Sequence, residues 1–127
     1  MRANLFVLIC VAASLSIGSS PILAHHGNSA FDTSSMVTVT GTMTDFQFVN
    51  PHVRLFFNVK NDKGETQEWQ GELTAPNKLS RAGWTKHTLK PGDRVTMTGY
   101  ASKDGRHSIW IQKLNGPDGK PLQLFED

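Results

Sequence analysis

Residues 36–49 read MVTVTGTMTDFQFV, and this stretch decides the fold. Met36, Thr38 and Thr40 alternate with Val37, Val39, Gly41 and Met43. Alternation of period two among β-branched residues specifies a strand, here a long one running from Met36 to Val49. Gly41 interrupts it where a strand of a closing barrel must bend or bulge. Asn50-Pro51 punctuates its end.

Working outward, His52 to Lys60 is a second strand. Val53, Leu55, Phe57 and Val59 form one face; His52, Arg54, Phe56 and Asn58 form the other. Asn61-Asp62-Lys63-Gly64 is a hairpin turn, with glycine supplying the positive φ. Glu65 to Leu73 returns as a third strand, and Trp69 is its strongest core candidate. Thr74 to Gly83 reads as a short helix: Pro76 sits near its first turn and Gly83 closes it. After the turn at Leu89 to Asp93 come strands at Arg94 to Ala101 and Arg106 to Leu114, and a short edge strand within Leu122 to Phe125. Val95, Met97, Gly99, Ile109 and Ile111 fall on core faces; Tyr100 and Trp110 fall opposite. A long curved strand, a hairpin, a helix between strands three and four, and a closing hairpin predict a mostly β fold. The expected form is a small OB-like barrel of five to six strands, the rival being an open two-layer sheet capped by the helix. Closure also removes exposed sheet edges.

Upstream, the chain divides into a leader at 1–24, an N-terminal arm at 25–35 and the barrel at 36–127. Met1 and Arg2 precede an apolar run from Leu5 to Ala13, and Pro21-Ile22-Leu23-Ala24 ends in a small residue. This predicts a cleaved secretory signal and a periplasmic or secreted protein. The run is too short and too closely followed by polar residues to span a membrane, so no span is expected after cleavage. Of 127 residues, removing 24 leaves 103, enough for one domain with a modest core. The whole chain carries +2; Arg2 is the one charge lost with the leader, leaving +1. Near-neutral charge with no basic stripe predicts that nucleic acid is not a partner. The single cysteine, Cys10, lies in the leader, so no disulfide, thiolate ligand or cysteine nucleophile is expected. Paired-cysteine and His-Glu-x-x-His zinc motifs are absent, as is a Gly-x-Ser-x-Gly elbow. No motif names a reaction, and binding is expected ahead of turnover, with a redox enzyme using an N-terminal histidine chelate as a third class.

Two constellations carry chemistry. Cleavage after Ala24 would make His25 the first residue, offering an α-amine and an imidazole together. His26 or His52 would add a further nitrogen, and a nitrogen-rich tetragonal plane suits Cu(II). Asp32 is a candidate oxygen ligand or a partner for a histidine N–H. The second constellation is an aromatic face of Phe56, Tyr100 and Trp110 interleaved with Arg54, suited to stacking a ring. The competing reading is that the arm and the helix cover these rings, with Phe31 and Leu79 packing on them. His87 and His107 sit in turn-rich segments and read as exposed. Glu65, Glu68 and Glu72 read as solvated strand positions.

Ala24-His25-His26-Gly27-x-Ser29-x-Phe31-Asp32, Gly41-Thr42, Asn50-Pro51-His52-Val53, Trp69, Arg81-x-Gly83-Trp84 and Lys90-x-Gly92-Asp93-x-Val95 occur in that order. Together they resemble a family of small exported bacterial proteins of uncharacterised function. The resemblance covers the mature chain and implies a bacterial periplasmic or exported domain without a known activity. The function expected is a small exported binding protein that holds copper through its N-terminal histidine. The alternative is a metal-free module for a small ligand or an envelope protein.

Overall fold

The computed structural model describes residues 28–125. The leader at 1–24 and His25 and His26 lie outside them. A single 3-10 turn at Asn28–Ala30 precedes six strands and one helix. The strands are β1 Val37–Gln47, β2 Arg54–Lys60, β3 Thr66–Glu72, β4 Arg94–Ala101, β5 Ser108–Asn115 and β6 Pro121–Leu122; helix α1 is Pro76–Arg81.

β1 serves two neighbours. Val37 to Thr42 pair antiparallel with β4, while Thr42 to Gln47 pair antiparallel with β2. The handover falls at Gly41 and Thr42, and a register shift follows between Met43 and Asp45. Gly41 is required there. A Cβ on it would lie 2.7 Å from Phe57 Cδ2 and 2.8 Å from the Asn58 carbonyl oxygen. The sheet order is β3-β2-β1-β4-β5-β6, and parallel pairing of Gln70–Glu72 with Ser108–Trp110 closes it into a barrel. The predicted barrel with one helix between strands three and four is therefore the fold.

The inward faces match the alternation. Met43, Leu55, Phe57, Val95, Met97, Ile109, Ile111 and Leu114 are buried in one cluster. Helix α1 covers one end through Leu79, with Trp84 and Leu89 beside it. It is shorter than the predicted span of Thr74 to Gly83 because the chain turns at Gly83, whose φ is +89°. There the Trp84 N–H bonds the Leu79 carbonyl at 3.0 Å and the Gly83 N–H bonds the Ser80 carbonyl at 3.0 Å. This double closure is what a left-handed glycine after a helix allows. Trp84 also donates its indole N–H to the Gln123 carbonyl at 2.7 Å, tying the helix end to the C-terminal segment.

Several edges differ from the sequence reading. β1 ends at Gln47 rather than Val49, and β2 begins at Arg54 rather than His52. β5 begins at Ser108 rather than Arg106, because Asp104 holds Arg106 in the preceding turn. The last strand is two residues, pairing Leu122 with Leu114. Trp69 packs against the core without being fully enclosed by it.

Candidate functional site

The arm is fastened to the barrel by backbone and by ring. The Asp32 N–H donates to the Ala101 carbonyl at 2.9 Å, and the Lys103 N–H donates to the Ala30 carbonyl at 3.0 Å. Between them Phe31 is buried. It lies 6.2 Å from the Trp110 ring, which lies 5.7 Å from the Tyr100 ring. The face of Phe56, Tyr100 and Trp110 is thus divided: Phe31 covers part of it, as the covering reading expects, while Leu79 packs in the core cluster. The arm covers Trp110, and Phe56 lies apart, with the Arg54 guanidinium 6.0 Å from its ring centre. Arg54 also donates to Gln47 Oε1 at 3.0 Å. The cause is simple: an exposed Trp-Tyr pair and a lone apolar residue in a polar arm remove area from water by packing together.

Asp32 does not stand with the imidazoles. Its Oδ1 accepts the Ser34 N–H at 3.0 Å and the Ser34 hydroxyl at 2.6 Å, and these bonds hold its pKa below the ordinary value. They shape a turn leaving the arm. Among the described residues no three His, Cys, Asp or Glu side chains gather as a metal cluster.

His52 has a partner that sequence reasoning missed. Its Nδ1 hydrogen-bonds Glu72 Oε1. The backbone fixes both side chains. The Val53 N–H donates to the Thr74 carbonyl at 3.1 Å, and the Leu73 N–H donates to the Val53 carbonyl at 2.9 Å. Val53 and Leu73 are buried, so the residues flanking them, His52 and Glu72, take the outer face. The Asn50-Pro51 peptide bond just before is cis. With Nδ1–H donated to the carboxylate, Nε2 is left as the nitrogen free to bind a ligand. The His52 side chain is 37% exposed and Glu72 23%, so that nitrogen sits at the surface. A signal for Glu72 existed: folding the hairpin about its Asn61–Gly64 turn sets Arg54 opposite Glu72, beside His52.

Glu72 pairs on its other side with Trp110 across the β3–β5 closure. The ring that receives Phe31 therefore sits on the strand next to the His52–Glu72 pair. His25 and His26 are outside the described residues.

A second surface lies around Trp69. His107 stacks on it, centres 5.1 Å apart and planes at 11°, and Phe57 packs on it at 6.4 Å. Two shallow grooves of about 310 and 430 Å³ meet here, sharing Phe56, Glu68 and Trp69. His107 is exposed as expected, but the stack is a long-range contact that its neighbours in sequence do not announce.

No curated protein matches the chain. Among solved structures it is similar to the mitochondrial single-stranded DNA binding protein Rim1 from S. cerevisiae. That match has 12% identity, covers 65% of this chain and 92% of that one, and has a TM-score of 0.45. It is also similar to a small single-stranded DNA-binding protein from Streptomyces coelicolor, at 15% identity, 67% and 95% coverage and a TM-score of 0.44. The expectation that nucleic acid is not a partner is corrected by these matches, both of which are to single-stranded DNA-binding proteins. The barrel itself stands on its strand pairings. Finally, residues 12–110 match the profile of a family of unknown function, DUF6152, and by that extent of match the chain belongs to it.

Proposed function

We propose that the chain is an exported binding protein that holds Cu(II) between its mature N-terminal histidine and His52. The observation that carries this is the hydrogen bond from His52 to Glu72. A carboxylate on one ring nitrogen fixes the tautomer and aims the other nitrogen outward, as partners of metal-bound histidines do. The arm supports the same reading. Phe31 is seated on Trp110, Trp110 pairs with Glu72 across the closure, and adjacent strands lie about 4.8 Å apart, so the arm is fastened on the strand next to the one that holds His52. His25 would supply its α-amine and imidazole, His26 or His52 a third nitrogen, and Glu72 would position His52. This set fits the nitrogen-rich plane that Cu(II) favours. Asp32, engaged by Ser34, is left out of it.

The test is Cu(II) EPR on protein exported from cells, with the native N-terminus verified by mass. One tetragonal, nitrogen-rich signal is expected at one equivalent, altered in His52→Ala. Glu72→Gln is expected to weaken binding about 10- to 100-fold. Identical spectra and affinities in wild type and His52→Ala would reduce the binding to that of a free His-His peptide and sink the proposal.

A metal-free module is the second reading, and the grooves beside Trp69 favour it. It predicts Trp69 fluorescence changes with an oligosaccharide and no response to Cu(II).

A further inference from the structure

The handover of β1 between its two neighbours has a geometric consequence. Thr42 pairs with Asn58 of β2 and with Arg94 of β4, forming one row across three strands. Before Thr42 the paths separate. β1 continues toward Val37 along β4, while β2 continues to Lys60 along β3. A groove of about 670 Å³ opens between them, within the size range of small-molecule sites.

Its lining sets polar and cationic side chains beside Val39 and Val59. Thr42 and Thr66 offer hydroxyls, Thr40 a hydroxyl already bonded to that of Thr96 at 2.9 Å, and Asn58 an amide, and both charged side chains in the wall are cations, Lys60 and Arg94. Among the described residues neither cation has a hydrogen bond or ion-pair partner. Several surface lysines among the described residues are likewise without a partner, but here a lysine and an arginine from two strands share one groove, whereas Arg54 is held by Gln47 and Arg106 by Asp104. Asn58 adds a second, independent observation. Its Oδ1 is buried with no hydrogen-bond partner among the described residues. An unmade bond at a buried acceptor is costly, and rotation of the Asn58 amide toward the groove would let a ligand's donor remove that cost.

Two unpaired cations on different strands match the charge of a phosphate monoester, and the guanidinium fork suits its oxygens. The orphaned acceptor and the threonine hydroxyls call for hydroxyl groups beside that phosphate. We propose that this groove binds a phosphorylated polyol, either as a soluble ester or as a lipid headgroup. The site is separate from the His52–Glu72 pair and does not depend on the copper reading.

The test is an amide NMR titration of the exported protein with glycerol 3-phosphate and, separately, with inorganic phosphate. Shifts are expected at Thr40, Thr42, Asn58 and Thr66, with inorganic phosphate binding about tenfold more weakly. Lys60→Gln and Arg94→Gln, both exposed and without internal partners, should keep the fold and each weaken binding by about tenfold. Asn58→Ala should erase the preference over inorganic phosphate. Vesicles of phosphatidylglycerol that broaden the same amides, where phosphatidylcholine vesicles do not, identify a headgroup; a response to the soluble ester alone identifies a free ligand. Shifts elsewhere, no shifts, affinity unchanged in the cation variants, or tighter occupation of the groove by a single-stranded oligonucleotide or a peptide would each overturn the proposal. Lys60→Gln and Arg94→Gln should leave the Cu(II) spectrum unaltered, so failure here is distinct from failure of the metal reading.

Discussion

Gly99 shows how a single absent carbon sets the geometry. It sits at a register shift of β4 against β5, and a Cβ there would lie 2.0 Å from the Trp110 carbonyl oxygen. The obstacle is backbone, which cannot swing aside. Gly99→Ala should therefore cost about 3 kcal/mol, the upper end for overpacking, in chemical denaturation. A cost below 1 kcal/mol would mean the strands part easily. Asp104 makes a prediction about pH. The Ser102 hydroxyl at 2.6 Å, then the Arg106 amide and guanidinium, lower its pKa from 3.8 to about 2. A depressed carboxylate favours the folded turn above its unfolded pKa and loses that effect as pH falls through the folded value. The turn at 102–106 should hold down to pH 3 and loosen near pH 2. The Asp104 carboxyl resonance checks this directly; a midpoint near 3.8 would contradict the hydrogen bonds.

At the scale of elements, the arm and the His52 corner are the informative pieces. Among the described residues the arm is attached through Phe31 and two backbone bonds. Phe31→Ala should leave the barrel folded while the amides of Asp32 and Lys103 exchange at least about tenfold faster. The same variant should broaden the Cu(II) spectrum if the arm delivers His25. Unchanged exchange would place the anchor elsewhere. The corner depends on the β2–β3 register, since His52 reaches Glu72 only while Arg54 opposes Glu72. The hairpin turn that sets this register was readable from Asn61 to Gly64. The role of Glu72 was not read, because alternation alone assigns it to a solvated face and says nothing of its neighbour.

For the whole molecule, closure joins elements distant in sequence. β3 and β5 pair in parallel, and the helix end is tied to the C-terminal segment through Trp84 and Gln123. Such mutual support predicts one cooperative transition. Single-tryptophan variants retaining Trp69 or Trp84 should show the same urea midpoint, one reporting the barrel wall and the other the helix. Separated midpoints would show that the helix end melts on its own.

The sequence by itself determined the strands, their buried faces, the helix and the bend at Gly41. Each depends on local alternation, turn chemistry or the loss of a side chain. It also singled out His52 and Phe31. Only the tertiary structure decided that Phe31 covers Trp110, that Glu72 holds His52, that Asp32 belongs to a turn, and that Lys60, Arg94 and Asn58 line one groove. These depend on which strands meet across the closure and where β1 leaves β2. Such contacts join residues tens of positions apart, and no local pattern of polarity encodes them.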